Sequence, residues 1–248
     1  MFSKALIERL QRATRVAVLT GAGISAESGV PTFRGQNGLW KRFRPEELAT
    51  VEAFLKNPTL VWEWYNYRRR IINEVEPNPG HRALAELERL VPDFAVITQN
   101  VDGLHQRAGS RRVIELHGNI MRSRCMNCGK VYTELQFESG EVLRCSCGGL
   151  IRPDVVWFGE MLPQDNLEQA YHYARTASVF LTVGTSALVQ PAASLPLEAK
   201  AYGAYVVGIN PETTPITHAV DEHISGKAGE ILPKLVETLR RSKAEANG

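Results

Sequence analysis

The stretch RVAVLTGAGISAESGVPTFRG, residues 15–35, begins as a buried strand and continues into a glycine-rich loop. The run GAGISA fits the pattern G-x-G-x-x-G/A, in which glycines let backbone amides approach a pyrophosphate closely. On its own the pattern is weak, because a plain structural turn explains it equally well. A dinucleotide-binding dehydrogenase would continue with a long helix, a second strand and an acidic residue. Here Gly29, Pro31 and the segment GLWKRFRPEE follow instead. We therefore expect a phosphate-binding loop whose ligand is otherwise held in a different way.

Short runs rich in Val and Ile recur along the chain. They occupy residues 15–20, 93–100, 178–185 and 204–210, with a weaker run at 112–118. Such runs are typical of strands that are buried in a parallel sheet. Helical patterns lie between them, and the pattern over 191–203 ends at a glycine placed to stop a helix. The alternation predicts an α/β fold with a doubly wound, Rossmann-like parallel sheet.

Two segments interrupt this alternation. Residues 36–75 have helical periodicity that is interrupted at Pro58, and residues 119–155 contain all the cysteines without a strong apolar run. We expect these two segments, a helical insert and a zinc-binding insert, to form a smaller lobe. The large Rossmann-like domain is then expected to comprise residues 1–35, 76–118 and 156–248. The final stretch RRSKAEANG is expected to be frayed.

Composition and charge narrow the classes of function. The chain has 248 residues, of which 44% are hydrophobic and 23% charged, and its net charge is +2. The small charge gives no reason to expect nucleic acid or an anionic membrane as a partner. No apolar run reaches the roughly 18–20 residues that span a bilayer, and MFSKALIERLQRA reads as an amphipathic helix rather than a signal peptide. We expect a cytoplasmic protein.

The cysteines have the spacing C-x2-C-x16-C-x-C, at Cys125, Cys128, Cys145 and Cys147. Two pairs of thiolates on tight turns are the ligand set of a tetrahedral zinc site, and four sulfurs leave no position open for water. The spacing therefore predicts one structural zinc ion. Disulfides and unrelated free thiols are the less favoured alternatives. The second pair has one intervening residue rather than two, which we expect to strain its turn slightly.

Polar residues follow two of the predicted strands. Gln99, Asn100 and Asp102 crowd the end of one strand, and His117 ends the next. Open α/β sheets bind ligands at this edge, where amide and acid groups can hold a carboxamide and a water. A histidine with a pKa near 6.5 suits a base that works near neutral pH. The alternatives are an Asx-type turn and a structural histidine, and His105 is expected to be structural.

Five features now stand in one order: GAGISAESGVPTFRG, TQNVDGLHQRAG, ELHGN, the four-cysteine insert and VVWFGE. In this combination the chain resembles the sirtuins, the NAD-dependent protein deacylases, from Val16 to about Gly229. The resemblance implies that NAD is a co-substrate whose bond between nicotinamide and ribose is cleaved. It also implies that the acyl group of an acyl-lysine protein or peptide is transferred to ADP-ribose.

The resemblance also assigns roles to residues. His117 matches the general base that activates a ribose hydroxyl, and Asn100 is the second catalytic candidate. Phe33 and Arg34 match a cover that shields the reacting end of NAD from water. The residues expected to bind NAD are Gly21, Ala22, Gly23, Ile24, Phe33, Arg34, Trp40, Gln99, Asn100, Val101, Asp102, Gly184, Thr185, Ser186, Asn210, Pro211, Glu212 and Ala228.

The acyl-lysine peptide is expected to lie as an added strand against residues 155–160, VVWFGE. Its expected contacts there are Val156, Phe158, Gly159 and Glu160.

Two further residues are expected to bind the acyl group itself. Tyr65 and Arg68 are three apart in a predicted helix and therefore share a face. Sirtuins that remove succinyl and malonyl groups carry a Tyr-x-x-Arg pair in this helix, and an arginine with a phenol can bind a carboxylate. We expect a desuccinylase and demalonylase that also has deacetylase activity. The alternative is an ordinary basic helix face, since the run reads YRRR.

Three other functions remain open at this stage. Protein mono-ADP-ribosyl transfer would share the first steps with deacylation. A nicotinamide-dependent oxidoreductase would share the glycine loop but gives no reason for the residues at 33 and 34. A nucleic-acid-binding zinc ribbon would explain the cysteines but predicts a basic face, which the near-neutral charge disfavours.

Overall fold

The computed structural model describes residues 2–32, 44–133 and 142–246. The strands of the described chain are β1 (Arg15–Thr20), β2 (Asp93–Thr98), β3 (Val113–Glu115), β4 (Gly118–Cys125), β5 (Val131–Tyr132), β6 (Ile151–Val155), β7 (Val179–Val183), β8 (Tyr205–Ile209) and β9 (Glu222–Ile224). The helices are α1 (Lys4–Arg12), α2 (Ala22–Ala26), α3 (Pro45–Leu48), α4 (Val51–Lys56), α5 (Pro58–Glu74), α6 (Pro79–Leu90), α7 (Leu104–Arg107), α8 (Gln164–Thr176), α9 (Leu195–Ala201) and α10 (Ala228–Ala246).

The larger sheet is parallel throughout, with the strand order β3-β2-β1-β7-β8-β9. β1 is central, and its two faces are both buried because successive side chains point to opposite sides. Val16 and Val18 pack under α1, α6 and α10, whereas Ala17 and Leu19 pack under α8 and α9. This is the doubly wound arrangement predicted from the sequence. The strand order reverses between β1 and β7, where such sheets bind ligands.

The smaller lobe combines α3, α4 and α5 with an antiparallel sheet of order β5-β4-β6. Phe54, Trp62 and Tyr65 of the helices form one buried cluster with Ile151 and Trp157. α5 docks on β6 and β4 through polar contacts as well, since the indole Nε1 of Trp62 donates to the Ile151 carbonyl at 3.1 Å.

Pro58 begins α5 rather than interrupting a helix. Proline is tolerated in the first turn, where its missing N–H would have no intrahelical partner. The side chain of Asn57 caps this end by accepting a hydrogen bond from the Leu60 amide at 3.1 Å. The sequence pattern therefore located the break correctly, but it is a boundary between α4 and α5.

Several expectations from the sequence are corrected by the structure. The cysteine segment contributes a sheet of its own, which its weak apolar pattern did not predict. His117 lies in the turn between β3 and β4 rather than at the end of a strand, because β3 stops at Glu115. Residues 240–246, expected to be frayed, continue α10. No helix in the described part of the chain is both long and apolar enough to cross a membrane.

Candidate active site

A cleft of about 890 Å³ opens at the carboxyl ends of β1 and β7 and extends to the smaller lobe. Most of the residues expected to bind NAD or substrate line it. They are Gly21, Ala22, Gly23, Tyr65, Arg68, Gln99, Asn100, Val101, His117, Val156, Phe158, Gly159, Glu160, Gly184, Thr185, Ser186, Asn210, Pro211 and Glu212. Residues that lie far apart in the chain, in the segments after β1, β2, β3, β6, β7 and β8 and on α5, thus meet in one cavity.

The glycines of the first loop are required by contact with the loop after β7. A Cβ atom at Gly21 would lie 2.8 Å from the Cα of Thr185, and one at Gly23 would lie 2.7 Å from the Gly184 carbonyl oxygen. The Gly23 amide donates to that same oxygen at 2.8 Å. The sequence attributed these glycines to a close approach of a pyrophosphate. In the structure they allow the two loops of the cleft floor to pack together.

Two side-chain amides connect the loops around the cleft. The Nε2 atom of Gln99 donates to Thr185 Oγ1 at 2.9 Å, which joins the loops after β2 and β7. The Nδ2 atom of Asn100 donates to the Gly21 carbonyl at 3.0 Å and to Ser25 Oγ at 3.1 Å. Both side chains are half-buried, and both retain an amide oxygen that can accept a hydrogen bond.

His117 lies in the cleft with one ring nitrogen occupied. Its Nδ1 atom is 3.0 Å from the carbonyl oxygen of Gln99. Because a carbonyl only accepts, this contact requires the proton on Nδ1 and leaves Nε2 with a lone pair. Burial lowers the pKa of His117, and the hydrogen bond to Gln99 raises it by a smaller amount. The imidazole is therefore neutral near pH 7, which is the state a general base needs.

Three residues expected at NAD do not line the cleft. Ile24 is fully buried in the core of the large sheet, and Ala228 is buried at the start of α10. Asp102 is 5% exposed and accepts a hydrogen bond from the Leu104 amide, and burial raises its pKa. These positions support the walls of the cleft from behind. Phe33, Arg34 and Trp40 lie outside the described residues.

Residues 155–160 form an edge that is only partly available to a peptide. β6 ends at Val155, and Gly159 has φ +84, so the segment turns rather than continuing as a strand. The amide of Val156 donates to the His117 carbonyl at 2.9 Å, and that of Phe158 donates to the Ala49 carbonyl at 2.9 Å. The segment against which the peptide is expected to lie is thus a strand only as far as Val155, and the added peptide strand stays a prediction.

The end of the cleft at the smaller lobe is formed by α5 and by residues after β6. Tyr65 is 1% exposed, and Arg68 is 6% exposed with its guanidinium carbon 4.9 Å from the Trp64 ring centroid. Burial lowers the pKa of Arg68, while the nearby Tyr65 and Asp102 raise it. A buried guanidinium at the wall of a cleft is a site suited to an anionic group.

The neighbouring arginines of α5 point elsewhere. Arg69 donates to the carbonyls of Ile120 at 2.6 Å and Arg122 at 2.9 Å, and to Ser123 Oγ at 3.1 Å. It thereby joins α5 to β4, where the pairing with β6 shifts register. Arg70 is exposed. Of the three consecutive arginines, Arg68 is the one that lines the cleft.

Several lining residues were not singled out from the sequence. They are Thr32, Ala49, Trp64, Val155, Trp157, Leu162, Leu188, Val189, Gln190, Thr213, Thr214 and Pro215. Two of them, Trp157 and Thr213, directly follow a predicted residue. Their signal was position after a strand end rather than residue type. Trp157 stands inside the quoted run VVWFGE but was not among the residues expected to contact the peptide.

The four cysteines meet in one cluster, as the spacing predicts. All four Sγ atoms lie within 4.8 Å of one another. The distance from Cys125 to Cys147 is 3.5 Å, and that from Cys128 to Cys145 is 3.6 Å. A disulfide would need about 2.0 Å, whereas sulfurs on a tetrahedral zinc ion lie about 3.8 Å apart, given Zn–S bonds near 2.3 Å. The donor set and its spacing fit one zinc ion with a closed coordination shell, well suited to a structural role.

Comparison with known proteins decides the family. A family model described as the Sir2 family matches residues 21–191, more than half of the chain. The chain belongs to the Sir2 family. This agrees with the resemblance to the sirtuins noted in the sequence.

Individual members of the Sir2 family are similar over nearly the full chain. The NAD-dependent protein deacylase of Aquifex aeolicus is 56% identical over 227 residues, covering 91% of this chain and 95% of the relative. A crystal structure of a Sir2 homologue–NAD complex has a TM-score of 0.92 at 48% identity, covering 98% of this chain and 96% of that one. A Sir2 variant with a deacetylated p53 peptide and 3′-O-acetyl ADP-ribose has a TM-score of 0.83 at 37% identity, covering 96% and 98%.

Proposed function

We propose that this Sir2 chain is an NAD-dependent protein lysine deacylase that cleaves nicotinamide from NAD and transfers the acyl group to ADP-ribose. The curated relative from Aquifex aeolicus carries the name of this activity and covers almost the whole chain. The solved homologues contain NAD in one case and a deacetylated peptide with an acetylated ADP-ribose in another. The cleft of this chain has a volume of about 890 Å³, within the range of about 300–1,000 Å³ that is usual for small-molecule and cofactor sites.

The observation that carries the proposal is the state of His117. Its Nδ1–H is donated to the Gln99 carbonyl, which leaves Nε2 as a base inside a cleft. NAD would supply an electrophilic sugar carbon and the hydroxyl that accepts the acyl group. His117 would take the proton from that hydroxyl, and the carboxamides of Gln99 and Asn100 would orient the nicotinamide end and a water.

Other parts of the cleft would hold the adenosine side of NAD and the peptide. The loops at 184–186 and 210–212 lie after β7 and β8, where they would hold the adenosine side. Asn210 Nδ2 donates to the Thr185 carbonyl at 3.2 Å and so keeps these two loops together. The peptide would cross the mouth of the cleft near Phe158, which is 48% exposed.

The proposed acyl preference is supported by two residues of α5. Tyr65 and Arg68 both line the cleft, so an acyl chain with a terminal carboxylate would meet a guanidinium and a phenol. We propose desuccinylase and demalonylase activity, together with deacetylase activity. A cytoplasmic location stays a prediction of the sequence.

One assay tests this function. The purified protein is incubated with NAD and with unmodified, acetylated, malonylated and succinylated lysine peptides, and the products are identified by mass. We expect nicotinamide release that requires an acyl-lysine peptide, together with O-acyl-ADP-ribose. ADP-ribose attached to protein would favour mono-ADP-ribosyl transfer instead. Reduction of NAD without nicotinamide release would indicate an oxidoreductase, and either result would overturn the proposal.

A further inference from the structure

The hydroxyl group of Tyr65 is a buried donor that awaits an acceptor. Its oxygen accepts a hydrogen bond from Trp157 Nε1 at 2.7 Å. A phenol can donate as well as accept, yet no residue of the described ranges accepts the Tyr65 proton. A buried donor without an acceptor is costly. A ligand that brings an acceptor to this end of the cleft would therefore be favoured.

The direction of this hydrogen bond is fixed by chemistry. An indole N–H can only donate, so Trp157 forces Tyr65 to act as acceptor towards it. The phenol proton is then excluded from that side and remains for the cleft. A neighbour that could also accept, such as a hydroxyl or carboxylate, would permit the opposite arrangement and consume the proton.

The orientation of Trp157 is held by an ion pair beneath its ring. The guanidinium carbon of Arg152 lies 3.3 Å from the ring centroid, and Arg152 is 2% exposed. Arg152 donates to both carboxylate oxygens of Glu160, at 2.5 and 2.8 Å, and to the Val155 carbonyl at 2.7 Å. Glu160 also accepts from the Trp157 amide at 2.8 Å. The backbone and the ring of Trp157 are thus held by the same pair of charges.

We propose that Trp157, held by Arg152 and Glu160, is a positioning residue for acyl selectivity that fixes Tyr65 as a hydrogen-bond donor to the acyl group. This inference rests on the proposed deacylase function and goes further in assigning the arrangement that selects a carboxylate. It also gives Glu160, which lines the cleft and is expected from the sequence to contact substrate, the further task of holding Trp157.

The test compares two peptides that differ in the acyl terminus, succinyl-lysine and the neutral butyryl-lysine. Selectivity is the ratio of their kcat/KM values. Trp157→Phe keeps an aromatic ring over Arg152 but removes the N–H, and Tyr65→Phe removes the hydroxyl. We expect each variant to lower the selectivity about tenfold, mainly through KM for the succinyl peptide, since a hydrogen bond to a charged group is lost or misdirected.

The double variant Tyr65→Phe/Trp157→Phe separates positioning from packing. If Trp157 acts through the hydroxyl, the double variant loses no more selectivity than Tyr65→Phe alone. Additive losses, or an equal fall on both peptides, would overturn the inference. Trp62→Phe is the matched control, because its indole also donates to a buried oxygen but lies outside the cleft lining. It should not alter the ratio.

Failure of the proposed function is recognised separately, in the unaltered protein. If that protein deacylates neither peptide, or shows no preference for the succinyl peptide, the proposed carboxylate pocket fails and this inference fails with it. If the preference exists but Trp157→Phe retains it, only this inference is overturned. Should Trp157→Phe fail to fold, Arg152→Lys replaces it. That variant keeps the charge but loses the paired contact with Glu160, and the same fall in selectivity is expected.

Discussion

The Nδ1 atom of His117 is hydrogen-bonded to the backbone carbonyl of Gln99, and the side chain of the same Gln99 bonds to Thr185. The residue that sets the tautomer of the imidazole therefore also joins the two halves of the sheet where their order reverses. If a ligand moved the loop after β7, the movement would reach the imidazole of His117 through Gln99.

His117 should be indispensable for turnover and dispensable for binding. His117→Ala removes the base, so we expect acyl transfer to fall by about 10²–10⁴-fold while NAD still binds. Because burial lowers the pKa of His117, the acid limb of kcat/KM should lie below the unperturbed value of about 6.5. Steady-state rates across pH and calorimetric titration with NAD check both points. An acid limb above pH 7 would contradict the assignment.

Acid should destabilise the fold through buried histidines. Burial lowers the pKa of His81 to about 4 and that of His105 well below its usual value. The unfolded chain takes up these protons near pH 6.5, so stability is complete above that pH and is lost as the pH falls towards 4. His81 alone should cost about 2 kcal/mol between pH 7.5 and 5.

Urea unfolding of the unaltered protein and of His81→Gln at both pH values measures this effect. The variant should lose less stability on acidification, and the comparison cancels contributions that both proteins share, such as metal release. Equal losses would show that His81 is not protonated on unfolding.

Adjacent arginines of α5 should separate specificity from stability. Arg68→Met should reduce kcat/KM for a succinyl peptide by roughly tenfold or more relative to an acetyl peptide, because the charged partner of the carboxylate is lost. Arg69→Met instead removes the contacts to Ile120, Arg122 and Ser123, so it should lower the melting temperature without changing the ratio. Steady-state kinetics with both peptides measures the ratio of kcat/KM values, and thermal unfolding measures the melting temperature of each variant. Equal effects of Arg68→Met on the two peptides would indicate a structural arginine.

The cysteine cluster should hold one equivalent of zinc that stabilises the smaller lobe. Cys128→Ser leaves three thiolates, so we expect loss of the metal and a melting temperature lower by about 10 °C or more, given the size of structural zinc binding energies. Ser146→Ala lies between two of the ligands and should retain the metal. Elemental analysis and calorimetry check this. Full zinc content in Cys128→Ser would exclude a four-sulfur site.

Two glycines with positive φ should differ sharply on substitution. Gly184 has φ +58, and a Cβ there would lie 2.5 Å from the Ile24 nitrogen. Gly109 has φ +98 with open space around it. Gly109→Ala should cost about 1–2 kcal/mol of unfolding free energy from backbone strain alone. Gly184→Ala should cost at least about 3 kcal/mol because the contact adds to the strain. Denaturant titration measures both, and similar losses would argue against the close packing of the loops.

The parallel sheet was predictable because its strands carry continuous runs of Val and Ile that need burial on both faces. The second sheet was not, since β4 reads GNIMRSRC and its partners are set by contacts distant in the chain. The cysteine cluster was predictable from local spacing, which reflects the geometry of the metal. The tautomer of His117 could not be predicted, because its hydrogen-bond partner is a backbone carbonyl eighteen positions earlier.

Site residues were predictable where they follow strands of the large sheet. Ile24 and Asp102 stand in the same runs as lining residues, but whether a side chain faces the cleft or the core depends on the turn that each loop makes. Trp157 was missed because the acceptor of its indole N–H, Tyr65, lies 92 positions earlier in the chain, although Arg152 and Glu160 are close in sequence. No local pattern in the chain encodes such a combination.

The proposed base, His117, and the proposed acyl-binding residues, Tyr65 and Arg68, come from separate parts of the chain, the turn between β3 and β4 and the helix α5. A chimaera that exchanges α5 between relatives would thus be expected to transfer acyl selectivity without changing the cleavage of NAD. Such a graft must bring along Trp62 and Arg69, whose hydrogen bonds to Ile151 and Ile120 seat the helix. The recipient must already have an indole at the position of Trp157. Without that donor, the hydroxyl group of the introduced tyrosine would not be fixed as a donor towards the acyl group.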